Sequence, residues 1–182
     1  MIRRLLLSVL FLLPVSAFAI HPAGSTTAMA ELRAKALQLK WPDLRADAND
    51  GGNVFGVVVD WPLSGNIVTV VALESGDASI LTTGNYGMIG GILHETIRAA
   101  AKRLVASAEP RFDDAVPTAD LSYPEPGTVR FFLLTTSGLR RIDYKWEEVQ
   151  KKGGVAYTLF DRAQEVITAF RVLEEERTTG GL

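Results

Sequence analysis

The sequence predicts an α+β domain in which one antiparallel sheet of about five strands packs with about three helices. Three observations carry this expectation. Short apolar runs bounded by turn signals recur at 54–60, 67–73 and 79–83, and a further pair lies at 128–136 and 139–146. Longer stretches at about 26–40, 93–108 and from 158 onward repeat their apolar residues at helical spacing. Neither an internal repeat nor a linker separates two cores, so residues 20–182 are expected to form one domain.

The chain opens with MIRRLLLSVLFLLPVSAFA, in which Arg3 and Arg4 form a basic region, residues 5–13 an apolar one, and Ala17-Phe18-Ala19 a small-residue cleavage site. A membrane anchor needs about 20 apolar residues, and this run is shorter and broken by Pro14. Residues 1–19 are therefore expected to be a signal peptide cleaved after Ala19. That places the protein in a periplasm or outside the cell, with no membrane span after cleavage. No cysteine is present for lipid attachment or disulfides, so packing must stabilise the fold. The chain carries 19 Lys and Arg against 21 Asp and Glu, net −2. Without Arg3 and Arg4 the count is 17 against 21, net −4, which argues against nucleic acid as a partner.

In the mature chain, Thr26 or Thr27 can cap a first helix running to about Lys40, with Met29, Leu32, Ala36 and Leu39 as its apolar stripe. Trp41-Pro42 ends it, because the residue before proline avoids the helical region. After a polar loop, 54–60 (VFGVVVD), 67–73 (IVTVVAL) and 79–83 read as a three-strand meander with turns at WPLSGN and ESGD. The first two strands are apolar at nearly every position, so both of their faces should be covered.

The stretch 81–105, LTTGNYGMIGGILHETIRAAAKRLV, reads as a strand end, a glycine-rich turn and an amphipathic helix. Leu93, Ile97, Ala100, Ala101, Leu104, Val105 and Ala108 should line its buried face. Residues 109–127 hold four prolines and read as an extended loop anchored by Phe112, Val116, Leu121 and Tyr123. The hairpin follows, with Ile142, Tyr144 and Trp146 alternating with charged residues as in a half-solvated strand. Residues 147–154 form a charged connector. Thr158 and Asp161 suggest a capping-box start for a last helix faced by Leu159, Ala163, Val166, Ile167, Phe170 and Leu173, with a frayed tail at 178–182.

Chemical motifs are few. HETIR begins like the zinc motif H-E-x-x-H, but Arg98 stands where the second histidine belongs. DANDGGN opens like a calcium loop, but Gly51 and Val58 occupy positions that need oxygen ligands. The turn reads GxxGxxGG, which is neither a dinucleotide fingerprint nor a P-loop. A helix start after glycines can bind an anion through backbone N–H groups. No G-x-S-x-G elbow occurs, and Ser64, Ser75 and Ser137 lie in turns. No metal and no cofactor are expected.

The runs DASILTTGNYGMIGGILHETIRAAAKRL and TVRFFLLTTSGLR resemble a family of small uncharacterised bacterial proteins. Its members share a strand, a glycine-rich turn, a nearby histidine, an Ala-rich helix and a later aromatic-rich strand. The resemblance covers residues 54–140, with GNYG in place of further small residues. It implies the domain architecture and lends no catalytic residue.

The function expected is that of an exported, non-catalytic domain binding a protein or a small ligand, in one version a periplasmic inhibitor or immunity-type protein. The candidate contact residues are Tyr86, Gly87, Gly90, Gly91, His94, Glu95 and Arg98. Met88 and Ile89 should tuck an apolar tip into the core or into a partner. The alternative is a small periplasmic hydrolase using His94 with a carboxylate. Glu95 diverges from it by about 100° on a helix, so that carboxylate would come from Asp113, Asp114 or Asp120. A structural envelope component is the third possibility.

Overall fold

The computed structural model describes residues 25–41, 52–84 and 86–179; the predicted leader and most of the polar loop before the first strand lie outside them. The strands are β1 (Val54–Leu63), β2 (Asn66–Leu73), β3 (Ala78–Thr82), β4 (Gly87–Ile89), β5 (Val116–Pro117), β6 (Thr128–Thr135) and β7 (Gly138–Lys145). The helices are α1 (Ser25–Leu37), α2 (Glu95–Ala108), α3 (Trp146–Gln150) and α4 (Val155–Thr179). The class is as expected, with seven strands and four helices among the described residues rather than five and three. The sheet runs β4-β3-β2-β1-β6-β7-β5, antiparallel throughout.

Central β1 explains the continuous apolar runs. Alternate side chains of a strand point to opposite faces, and here both faces are covered. Val57, Val59 and Trp61 join the core under α2 and α4, while Phe55 and Val58 join a second core under α1. A register shift between Val54 and Gly56 keeps Val54 on the first core. β6 divides likewise, with Val129, Phe131 and Leu133 on one side and Phe132 and Leu134 on the other. Each fully buried side chain of this size contributes about 1.5–3 kcal/mol.

Several boundaries differ from the sequence expectation. β1 continues through Trp61 and Pro62 to a turn at Ser64-Gly65, because Trp61 has a core site beneath it, edge to face with Phe160 at 5.2 Å. Trp146 leaves the hairpin strand and begins α3, whose first turn is closed by Glu148 Oε2 accepting from Lys145 N–H at 2.7 Å. α4 begins at Val155, directly after the Gly153-Gly154 turn, so Thr158 is not its cap; its hydroxyl donates to Gly154 O at 3.1 Å. The earlier start lets Ala156 and Leu159 reach the core together.

The proline-rich segment wraps the β7 end of the sheet. Phe112 lies under the Arg140 guanidinium, 4.5 Å from its carbon, and β5 pairs with Arg140 and Arg141. Leu121 packs on the α1-side core, and Tyr123 stacks beneath Arg33 at 4.1 Å. Val116, expected as an anchor, is exposed: pairing to β7 through its backbone turns its side chain outward. Glu109 ties this segment to the start of β1, accepting from the backbone N–H groups of Asn53 at 2.9 Å and Val54 at 2.8 Å.

Candidate binding rim at the β4 edge

The glycine-rich stretch adds a strand to the sheet. Ser79, Ile80 and Leu81 pair with Ile89, Met88 and Gly87, and β4 ends the sheet on that side. Gly87 faces α1, and a Cβ there would stand 2.5 Å from Met29 Sδ. Gly91 makes an equally close approach on the other face, where a Cβ would run into Ile97 and Phe170. Gly90 takes a left-handed conformation, φ 85°, with open space around it. Two of the predicted contact glycines are therefore packing positions, and the third sets the direction of the chain.

Gly90 leads into a 3-10 turn, Gly91–Leu93, and His94 follows in extended conformation, φ −105° and ψ 115°. The α-helix begins only at Glu95. Leu93 is consequently not a member of the buried helical face; it is 88% exposed, and Ile97 is the first core residue of α2. The physical reason is the change of winding, since a 3-10 turn followed by an extended residue breaks the 100° step that projected Leu93 inward. Ile92 is exposed beside it, and Ile89 is 59% exposed on the α1 side of β4.

Two polar members of the predicted set, Tyr86 and His94, are met by α4. Tyr86 Oη donates to Glu174 Oε2 at 3.3 Å. Partial burial, the negative charge of Glu174 and that hydrogen bond all push the phenol above its ordinary value of 10.0. Arg177 Nη2 lies 3.4 Å from His94 Nε2. A guanidinium has no acceptor, so the imidazole accepts this bond. Glu95 and Arg98 form an exposed ion pair, and the Arg98 stem lies against Gly76 in the β2–β3 turn. The structure thus brings Tyr86 and His94 to the last turns of α4, sets the Arg98 stem against the β2–β3 turn, and leaves Glu95 at the edge of the space between α2 and α4.

Among the described residues, His94 has no carboxylate or hydroxyl as a hydrogen-bond partner. Asp114 pairs with Arg111 at 2.9 Å, and Asp120 pairs with Arg141 at 2.7 Å next to β5. The Ser122 N–H and hydroxyl, with Arg141, hold the Asp120 carboxyl down at about 2. No cluster of three or more His, Asp or Glu among the described residues can hold a metal ion. Among them, also, no helix is long and apolar enough to cross a membrane.

Three features were missed by reading the sequence. A shallow groove of about 580 Å³ runs between α2 and α4, floored by Ala99, Ala100 and Ala169 and edged by Glu95, Arg103 and Glu165. The helical spacing of small residues on both helices was the available signal. Ile89 at the end of β4 and Ile92 and Leu93 in the turn after it are exposed, readable in part from ten residues, 84–93, without charge or proline. A buried polar network joins Arg33, Asp60 and Thr69 on the α1 side, with Thr69 Oγ1 2.5 Å from Asp60 Oδ1. Its signal was an aspartate ending the run VFGVVVD, since a buried carboxylate requires a partner. No family model matches this chain, and no curated protein or solved structure matches it.

Proposed function

We propose that this protein is an exported, non-catalytic domain that binds another protein through the rim formed by β4 and the 3-10 turn after it. One observation carries the reading: Leu93 is 88% exposed in an ordered turn beside a sheet edge, with exposed Ile89 and Ile92 as neighbours. Isolated exposed apolar residues are ordinary, but three within five residues at the end of an edge strand support a contact surface. Tyr86 adds an aromatic side chain at the border, as binding patches commonly do. His94, directly after Leu93, supplies a polar neighbour. Small size, mild acidity and the predicted leader fit a periplasmic inhibitor or immunity-type role.

A photo-crosslinking side chain placed at Leu93, in cells that export the full chain, tests this directly. A discrete crosslinked species at position 93 and none from Lys102, exposed farther along α2, is the result expected. Absence of any crosslinked species at 93, or the same products from both positions, overturns the rim as a binding surface.

A further inference from the structure

The Arg33 guanidinium sits in a socket whose walls all belong to other elements. The Asp60 carboxylate of β1 accepts from Nε at 3.0 Å and from Nη2 at 2.5 Å. Leu121 O and Ser122 O, from the segment before β6, accept from Nη1 at 2.8 Å and from Nη2 at 3.4 Å. The rings of Tyr123 and Phe132 lie 4.1 and 5.6 Å from the guanidinium carbon. A carboxylate and two carbonyls beside aromatic faces match the flat fork of an arginine, which a lysine does not reproduce.

The socket keeps its shape through bonds that do not involve Arg33. The Thr69 hydroxyl donates to Asp60 Oδ1 at 2.5 Å. Arg130 Nη1 donates to Ser122 O at 2.8 Å and to Ser122 Oγ at 2.9 Å, and Asp143 fixes Arg130 through two bonds of 2.9 Å. Ser122 N–H donates to Asp120 Oδ1 at 2.9 Å. The ladders of the sheet join strands to strands and need nothing from α1. Among the described side chains of α1, only Arg33 and Leu37 are buried, four residues apart and so on one helix face. Leu37 joins the apolar cluster of Phe55, Val58, Phe132 and Leu134.

We propose that this face of the sheet is a recognition site for a helix carrying arginine four residues ahead of leucine, and that α1 occupies it as a separable ligand. The acceptors are held in place before the guanidinium arrives, so docking orders little beyond the helix itself. α1 leaves as one unit while the strands stay paired, since local opening follows such units. A helix of another protein that presents the same arginine and leucine competes with α1 for the socket and the apolar floor beside it. The site lies on the face that α2 and α4 do not cover and stands independently of the rim at β4.

A fluorescent synthetic peptide with the sequence of residues 25–41 is the probe. The full chain with Arg33→Ala should bind it saturably, and about tenfold or more tightly than the wild type, whose own helix holds the site. Peptides with Arg33→Ala or Arg33→Lys should bind that variant chain about tenfold or more weakly than the unaltered peptide. No saturable binding to the folded variant chain, or equal binding of the three peptides, overturns the proposal. Amide hydrogen exchange on the wild-type chain is the second measurement, and it decides alone where Arg33→Ala does not fold. Amides of α1 should exchange about tenfold or more faster than those of β1 and β6, through an opening that leaves both strands protected. Amides of α1 that exchange only together with β1 and β6 overturn the proposal.

Discussion

Arg33 Nη2 lies 2.5 Å from Asp60 Oδ2, joining helix α1 to the centre of the sheet through an ion pair that is 5% exposed on one side and 0% on the other. The guanidinium donates through all three of its nitrogens. Its Nε also donates to the same carboxylate, and Nη1 donates to Leu121 O at 2.8 Å. One side chain thus ties α1, β1 and the proline-rich segment together on the face that α2 and α4 do not cover.

Removing either partner of this pair leaves a charge buried without its counterpart, a change that costs about 3–5 kcal/mol. Asp60→Leu and Arg33→Leu should each destabilise the fold by that amount in urea denaturation. The double variant should be less destabilised than the sum by about 1–3 kcal/mol, because the two changes remove a shared interaction. Strict additivity would mean that the pair contributes no coupling.

Gly91 and Gly90 are adjacent and should respond differently. Gly91→Ala drives a methyl group into Ile97 and Phe170, and overpacking of this kind costs about 1–3 kcal/mol. Gly90→Ala meets open space and carries only the strain of a left-handed backbone, roughly 1 kcal/mol. Thermal unfolding of the two variants checks the order. A larger loss at Gly90 would place the tight contact wrongly.

Leu93 and Leu104 were projected on the same helical face and occupy opposite environments. Leu104→Ala removes a side chain with no exposure and should cost about 2–5 kcal/mol. Leu93→Ala should stay within about 0.5 kcal/mol of wild type, as exposed substitutions do. Equal losses would restore the longer helix that the apolar spacing implied.

Glu109 makes the stability of the β1 start dependent on pH. Partial burial raises its carboxyl, but the N–H groups of Asn53 and Val54 and the Asn53 side chain outweigh this, and the net shift is below the ordinary value of 4.5. The folded form therefore binds a proton less readily than the unfolded chain. Its contribution is complete above 4.5 and is lost as pH falls through the lower folded value. Glu109→Gln should lower stability by about 1 kcal/mol near neutrality, and the difference from wild type should shrink on acidification below 4.5. A difference constant down to pH 3 would remove Glu109 from the acid response.

The candidate site was legible as a location and only partly as chemistry. The glycine turn and the helix after it could be read because four glycines in eight residues interrupt two periodic patterns. The seven named contact residues did not form one constellation, since Gly87 and Gly91 are needed for packing, Arg98 lies against Gly76, and Glu95 borders the space between α2 and α4. Glu174 and Arg177, which meet Tyr86 and His94, lie 88 and 83 residues downstream of them, and no local pattern records that approach.

By itself, the amino-acid order determined the fold class, the positions of the five longer strands, and the buried face of α2 from Ile97 to Ala108. Those features depend on which residues of one element share a side, and periodicity records that sharing directly. Tertiary structure alone decided β4 and β5, because strands of three and two residues exist only through the ladder to a partner. It also decided that Asp60 meets Arg33 and that Leu93 faces outward. A contact between distant residues, or a change of winding at a helix start, is settled by the competition for space around it and leaves no period in the chain.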